Sequence, residues 1–242
     1  MFIRIFFLAF ALTNLGFATE KDEPRVAVLS YFRSGTCFFV YSLTQLTGRT
    51  WEKNVLPKWV TQLKDPENAA SEKPPFFHQH HCINLKKLNP QRDKLIFLLR
   101  NNKENLIGRF GPEKFENLFH SLVKNNGLPE ATTYYRNIAA FDLWNPKNRL
   151  LIYYKDLIQN PEEVFERALH FLGEDFSRWD NFIENFEEHR AYCHNKRGGR
   201  TGGKFIHFSN QVPRDRLIAY DEKVEKTYPR LYEKYLKPFE TL

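Results

Sequence analysis

A short segment after the first apolar run of the chain carries the residues best suited to chemistry. Residues 30–38 read Ser-Tyr-Phe-Arg-Ser-Gly-Thr-Cys-Phe, and they lie between the apolar residues 26–29 and a helix-compatible stretch. A buried strand that turns into a helix leaves several backbone N–H groups pointing at one place, where they bind a phosphate or sulfate group. Arg33 adds a permanent positive charge, and Ser34 and Thr36 add hydroxyl donors. The segment therefore predicts an anion-binding loop.

Two other interpretations of this loop are open. The first is an ordinary strand-to-helix turn that Ser34 caps. The second is a nucleophilic role for Cys37, whose thiol would lie near Arg33 and the helix N-terminus, although no His or carboxylate is local to it. Loops of ATPases and GTPases place two glycines around four residues and then a Lys, which residues 30–38 lack. The loop is therefore P-loop-like in its position but not in its sequence.

The elements that must position this loop form an α/β pattern. Residues 26–29, 95–99 and 150–154 are apolar runs with the continuous character of strands buried on both faces. A turn and a helical pattern follow each run, so we expect parallel βα units and a three-layer sandwich around a central parallel sheet. The clearest helix begins at Pro161 and ends before Gly173.

The length, charge and cysteine content bound the class of protein. With 242 residues the chain is most simply one domain, which we place at residues 26–242. A net charge of +7 favours an anionic partner, although charge alone does not rank a nucleotide, an acidic glycan, nucleic acid or an anionic membrane. The three cysteines are too few and too scattered for a disulfide framework or a zinc site, so no metal is expected.

The first 18 residues form a separate segment. Arg4 precedes the apolar residues 5–12, and the small residues Gly16 and Ala18 follow. This layout is typical of a secretory signal peptide, and the apolar run is shorter than the roughly 20 residues that span a bilayer. We expect a cleaved signal peptide, a linker at residues 19–25 and a periplasmic, secretory-pathway or secreted protein. A short membrane anchor and an ordinary hydrophobic N-terminus are the alternatives.

At four places the chain resembles the sulfotransferases that use 3′-phosphoadenosine 5′-phosphosulfate (PAPS). The cytosolic members have Tyr-Pro-Lys-Ser-Gly-Thr-Thr-Trp where residues 31–38 read Tyr-Phe-Arg-Ser-Gly-Thr-Cys-Phe, and the Arg is similar to the Golgi carbohydrate branch. The family's Arg-Asn-Pro-Lys-Asp corresponds to Arg-Asn-Asn-Lys-Glu at 100–104, and its Tyr-Glu-Asp to Tyr-Lys-Asp at 154–156. The family's Arg-Lys-Gly-x-x-Gly loop, closed by His-Phe, matches residues 197–202 and 207–208.

This resemblance implies a site for PAPS. The backbone of residues 34–37 would hold the 5′-phosphate, and Arg33 would stabilise the charge that develops on the bridging oxygen as the sulfuryl group leaves. Arg100 and Arg197 would bind the 3′-phosphate, and Phe38 and Tyr154 would contact the adenine. The implied cofactor-binding residues are Arg33, Ser34, Gly35, Thr36, Cys37, Phe38, Arg100, Tyr154, Arg197 and Gly199.

The chain also departs from the family at this site. Gly108 stands where the family has a Ser at the 3′-phosphate, and Gly198 replaces a cation. The resemblance therefore implies weaker cofactor binding than in other members, unless Arg109 and Arg200 compensate.

The acceptor hydroxyl needs a base, because an alcohol is a poor nucleophile. In the cytosolic members this base is a His in a Lys-Thr-His segment, and the chain has Phe-His-Gln-His-His at 77–81 in that region. Spacing favours His80, with His81 second, as the catalytic residue beside Arg33. If the Golgi branch is the closer relative, a carboxylate that we do not locate would be the base.

The expected activity is transfer of a sulfuryl group from PAPS to a hydroxyl acceptor, which releases 3′-phosphoadenosine 5′-phosphate (PAP), without a metal and without nucleic acid. The exported N-terminus and Golgi-like loop favour a carbohydrate or glycolipid, and the 23 Phe favour a phenol or lipid alcohol. PAPS is made in the cytosol, so either the donor enters a lumen, the protein is cytoplasmic, or the N-terminal segment is an anchor. The alternative functions are an inactive nucleotide-binding protein of this fold, a kinase-like P-loop enzyme and a basic glycan-binding module.

Overall fold

The computed structural model describes residues 24–31, 34–51, 75–80, 88–111, 129–196 and 212–237, with the backbone alone at 77–80, 109–110, 129–132 and 194–196. The predicted signal peptide, residues 1–18, and most of the predicted linker lie outside these ranges. No helix within them combines the length and the apolar character needed to cross a bilayer.

A four-stranded parallel sheet forms the centre of the described chain. Its strands are β1 (Val26–Ser30), β2 (Phe77–His80), β3 (Lys94–Leu99) and β4 (Arg149–Tyr153). They lie in the order β2-β1-β3-β4, and each neighbouring pair is parallel. The three predicted strands are confirmed to within one residue, and the fourth, β2, contains His80. Parallel strands end at the same edge, so the carboxyl ends of β2, β1 and β3 lie side by side there.

Helices cover both faces of this sheet. They are α1 (Thr36–Thr47), α2 (Asn102–Phe110), α3 (Pro129–Asp142), α4 (Tyr154–Gln159), α5 (Pro161–Leu172), α6 (Trp179–Glu184), α7 (Phe186–Lys196), α8 (Arg214–Thr227) and the turn Pro229–Leu231, which continues as a π-helix, Tyr232–Leu236. Side chains of α1, α5 and α6 pack on one face, and those of α2, α3 and α8 pack on the other. The predicted three-layer α/β sandwich is confirmed.

Strand alternation explains why the sheet carries two cores. Ala27 and Leu29 of β1 face the cluster that contains α2 and α3, whereas Val26 and Val28 face the cluster that contains α1 and α5. Residues of β3 alternate in the same way. Because apolar residues are needed on both faces, the strands read as continuous apolar runs. The helix that follows β1 and the helix that follows β3 pack on opposite faces of the sheet. This arrangement opens a crevice between the carboxyl ends of these two strands.

Buried side chains hold β1 and β3 together at both ends. At the amino end, the carboxylate of the fully buried Asp93 accepts the backbone N–H of Arg25 at 3.2 Å and that of Asn89 at 2.8 Å. At the carboxyl end, the hydroxyl of Tyr134 donates to the carbonyl of Arg100 at 2.7 Å, and its ring packs edge-on against Tyr31 with centroids 5.5 Å apart. The crevice therefore has braced walls.

The buried tyrosines predict an alkaline loss of stability. Burial raises the pKa of Tyr134 and of Tyr220 above the ordinary value of 10.0. Below pH 10 both phenols are neutral in the folded and unfolded chains. Above pH 10 the two phenols ionise in the unfolded chain but stay neutral in the folded chain, so the free energy of the unfolded chain falls relative to that of the folded chain. We expect the free energy of unfolding to decrease above pH 10 by up to about 1.4 kcal/mol per pH unit for each such tyrosine.

The measurement is urea unfolding of the wild type and of Tyr220→Phe between about pH 8 and pH 11. The variant loses the hydrogen bond to Asn102 and should be less stable at pH 8, but its stability should fall less steeply above pH 10. Equal slopes for the two proteins would contradict this explanation.

Candidate functional site

The predicted anion-binding loop joins β1 to α1 at the carboxyl edge of the sheet. Gly35 is the N-cap residue of α1 and has a left-handed backbone with φ of 78°, and its carbonyl accepts the N–H of Phe39 at 3.0 Å. The N-cap residue, a glycine, has no side chain to cap this helix, and the first turn of α1 contains no acidic residue. The first N–H groups of α1 and the positive end of its dipole therefore fit an anionic group.

The two hydroxyls of the loop make hydrogen bonds within the protein. Thr36 Oγ1 donates to Ser30 Oγ at 2.7 Å, and Ser34 Oγ accepts from Asn105 Nδ2 at 3.2 Å. All four residues are buried. The Thr36 hydroxyl therefore braces the loop against the end of β1 in this structure, and the N–H groups at the start of α1 are the donors that the helix offers to an anion.

Three predicted site residues from distant parts of the chain are in contact. A Cβ on Gly35 would stand 3.0 Å from Cε2 of Tyr154, which is the first residue of α4, and 3.0 Å from Cδ2 of Leu157. The guanidinium carbon of Arg100 lies 4.3 Å from the centroid of the Tyr154 ring. The first loop, the segment after β3 and the start of α4 therefore meet through one tyrosine ring.

Arg100 is a buried cation at the carboxyl end of β3. The residue is only 9% exposed, its Nε donates to Glu104 Oε2 at 2.8 Å, and its guanidinium rests on Tyr154. One carboxylate and one aromatic ring thus fix the guanidinium in a region of low dielectric, where its attraction for a phosphate is stronger than at an exposed position. This geometry fits the 3′-phosphate role that the resemblance implies for Arg100.

Cys37 and Phe38, the last two residues of the predicted loop segment, pack inside the protein. Cys37 is 5% exposed, and the thiol of Cys193 on α7 donates to its carbonyl at 3.9 Å; both thiols are reduced. Phe38 packs edge-on against Phe165 and Phe186, with centroids 5.8 Å and 5.5 Å away. The structure thus places Phe38 in an aromatic group between α1, α5 and α7, and its predicted contact with adenine stays a prediction.

The remaining predicted site residues are described in part or not at all. His80 is the last residue of β2 and pairs with Ser30 in the strand register, so its backbone lies next to the start of the loop. Arg33, His81, Arg197 and Gly199 lie outside the described residues. The sequence did not single out Ser30 or Asn105 as site residues, and no pattern in it distinguishes Asn105 from the polar residues that precede it in α2.

Comparison with known proteins decides the family. The family model described as "Sulfotransferase domain" matches residues 23–200. The chain belongs to the sulfotransferase domain family. It is 24% identical over 209 residues to sulfotransferase 2A1 of Macaca fascicularis, and this match covers 70% of each protein. The predicted family is confirmed, and the chain is an enzyme of the PAPS-dependent sulfotransferases.

Two solved structures share the fold of this sulfotransferase. Mouse sulfotransferase SULT7A1 complexed with PAP aligns with a TM-score of 0.54 at 16% identity, over 92% of this chain and 90% of that one. Retinol dehydratase in complex with androsterone and the inactive cofactor PAP aligns with a TM-score of 0.53 at 14% identity, over 84% of this chain and 80% of that one. Both likenesses confirm the α/β fold class.

The close approach at Gly35 predicts a large cost for a methyl group. Gly35→Ala places a Cβ 3.0 Å from Tyr154 and Leu157 and also strains a backbone with positive φ. Gly173→Ala is the matched control, since Gly173 has φ of 71° and nothing within 4 Å of the added Cβ. Backbone strain of about 1–2 kcal/mol should appear in both variants, and Gly35→Ala should lose clearly more.

Urea unfolding of both variants at neutral pH measures this difference. If Gly35→Ala loses no more stability than Gly173→Ala, the contact between the loop and the Tyr154 ring does not constrain the site.

Proposed function

We propose that this sulfotransferase moves a sulfuryl group from PAPS to the hydroxyl of a carbohydrate or glycolipid. The contact of Gly35, Tyr154 and Arg100 carries the proposal, because it joins the residues implied for the 5′ end, the adenine and the 3′-phosphate of one nucleotide. Complexes of mouse SULT7A1 and of retinol dehydratase with PAP support the same class of nucleotide here.

Different residues of the chain bind the two ends of the nucleotide and stabilise the charge of the leaving group in this proposal. Bound PAPS supplies an activated sulfuryl group. The first N–H groups of α1, together with Arg33, bind the 5′ end and stabilise the negative charge that develops on the leaving oxygen. Arg permanently carries its proton, so Arg33 stabilises charge and does not act as a general acid. Arg100 and Arg197, with Gly199, hold the 3′-phosphate.

His80 removes the proton from the acceptor hydroxyl in this proposal. The β2 register supports it, since His80 pairs with Ser30 and so lies on the strand next to the loop that binds the sulfuryl donor. Imidazole has an ordinary pKa near 6.5 and accepts a proton efficiently close to neutral pH. His81, the following residue, is the second candidate.

The acceptor class rests on two features of the sequence. The secretory layout of residues 1–18 and the Arg in the first loop favour a carbohydrate or glycolipid in a lumen or outside the cell, reached by imported donor. A lipid alcohol is the second candidate, because retinol dehydratase, which shares the fold, is solved with androsterone. Sulfate transfer to sugar and to steroid acceptors, assayed side by side with radiolabelled donor, distinguishes the two.

Replacing Arg100 should remove selectivity for the 3′-phosphate. A hydrogen bond to a charged group contributes about 1.5–3 kcal/mol, so Arg100→Ala should bind PAP about 10- to 100-fold more weakly and bind 5′-AMP unchanged. Calorimetry with PAP, 5′-AMP, ADP and ATP plus Mg²⁺ measures these affinities. Arg167→Ala, at an exposed position on α5, is the control and should bind like the wild type.

The other outcomes separate the alternatives. A preference for ATP with Mg²⁺ would favour a kinase-like enzyme, and tight PAP binding without any sulfate transfer would favour an inactive nucleotide-binding protein. Binding of sulfated glycans with steep salt dependence and no PAP binding would favour a glycan-binding module.

Removing the base should slow the chemical step and leave nucleotide binding intact. General-base catalysis contributes about 10²- to 10⁴-fold, so His80→Ala should lower kcat by that factor with an unchanged Kd for PAP. His81→Ala is the adjacent comparison and should retain most activity. If His81→Ala shows the larger loss, the proton is taken by His81; if neither variant loses activity, a carboxylate base replaces both.

A further inference from the structure

Asn105 is a buried polar residue that lies between the two ends of the candidate site. It is the fourth residue of α2, it is 0% exposed, and its Nδ2 donates to Ser34 Oγ at 3.2 Å. Ser34 is also fully buried and lies 71 residues earlier in the chain. This hydrogen bond therefore connects the segment after β3 with the loop after β1, across the crevice between the two strands.

Packing alone does not explain an Asn at this position. Asn has a lower helix propensity than Leu, and a buried amide must be hydrogen-bonded to avoid a large desolvation cost. The following residues, Leu106 and Ile107, are buried in the apolar cluster of this face. An apolar residue of the same size would serve the packing as well, so the amide is better explained by the direction of its hydrogen bond.

The direction of the bond acts on the loop. An amide nitrogen only donates, so Ser34 Oγ is the acceptor, and the bond fixes where this side chain points. Ser34 directly precedes Gly35, the residue that turns the chain into α1. Holding Ser34 therefore holds the start of the helix whose N–H groups face the anion.

The same turn of α2 also acts on the other end of the site. Glu104, the residue before Asn105, accepts from Arg100 Nε at 2.8 Å. Gly108, three residues after Asn105, lies on the same side of the helix and carries no hydroxyl where the resemblance implies a Ser. Among the described side chains of α2, Asn105 is the one with a hydrogen bond to the first loop.

We propose that Asn105 is a positioning residue that sets the first loop for the 5′-phosphate end of the nucleotide. The inference rests on the proposed function, since it assumes that this loop binds the 5′ end and Arg100 the 3′-phosphate. It assigns a specific consequence to the bond: loss of Asn105 weakens recognition of the 5′-phosphate and leaves recognition of the 3′-phosphate intact.

The test measures Asn105→Leu in the full chain with PAP, 5′-AMP and 3′-AMP by calorimetry. We expect affinity for PAP and for 5′-AMP to fall about 3- to 10-fold, which corresponds to one neutral hydrogen bond, and affinity for 3′-AMP to stay unchanged. Arg100→Ala should instead weaken the binding of PAP and 3′-AMP and leave the affinity for 5′-AMP unchanged. In activity assays, Asn105→Leu should lower kcat, because a displaced loop stabilises the leaving oxygen less well.

Asn102→Leu is the matched control. Asn102 has the same residue type, lies on the same helix and is 3% exposed, but its Nδ2 donates to Tyr220 on α8 instead of to the loop. We expect a loss of stability comparable to that of Asn105→Leu, with an unchanged affinity for 5′-AMP. A double variant of Ser34→Ala and Asn105→Leu should lose no more 5′-AMP affinity than the single variant with the larger loss.

Each result decides the role. Equal losses for 5′-AMP and 3′-AMP in Asn105→Leu, or losses that Asn102→Leu reproduces, would overturn the proposal and leave a structural role only. Unchanged binding in Asn105→Leu would overturn it as well. If the wild type binds none of the three nucleotides, the proposed function fails and the inference with it, whereas the first two outcomes leave the proposed function standing.

Discussion

The candidate site depends on the missing Cβ of Gly35. Only a glycine combines a backbone φ of 78° with room for an aromatic ring at 3.0 Å from the Cβ position. This contact lets the start of α1 lie against Tyr154, and Tyr154 in turn supports the guanidinium of Arg100. The first loop, the segment after β3 and the start of α4 can pack together because Gly35 places only a hydrogen atom between the first loop and the ring of Tyr154.

The sheet makes this meeting possible by bringing the right chain ends to one edge. β1 and β3 are adjacent and parallel, and the helices that follow them cover opposite faces of the sheet. Tyr134 ties the carbonyl of Arg100 to a core tyrosine cluster, which braces the wall of the crevice. Rigid walls favour a site that is formed before binding, and catalysis by fixed dipoles requires such a site.

Electrostatics favours an anionic ligand without a large excess of local charge. The start of α1 supplies a partial positive charge, and the buried Arg100 supplies a full one that Glu104 partly offsets. A buried cation needs such a partner when no ligand is bound, because an unpaired charge in a low dielectric is costly. The pair with Glu104 thus keeps the folded chain stable while it presents a guanidinium to the crevice.

The sequence by itself determined the class of fold and the family. Continuous apolar runs predicted β1, β3 and β4, because a strand with helices on both faces needs apolar residues at every position. Pro161 and Gly173 predicted the ends of α5 from local backbone geometry, and four short motifs in order predicted the sulfotransferase family. Each of these signals depends on residue types within a short stretch of the chain, so it can be recognised without the fold.

Only the tertiary structure decided how the site is assembled. Tyr154 read as the end of a strand but begins α4, because an element boundary depends on where the chain meets its neighbours. The packing of Phe38 against Phe165 and Phe186, which lie more than 100 residues away in sequence, follows from no local pattern. The bond from Asn105 to Ser34 crosses between two strands, and no periodicity encodes it. Long-range contacts of this kind depend on the packing of whole layers, and packing is settled only when the chain is folded.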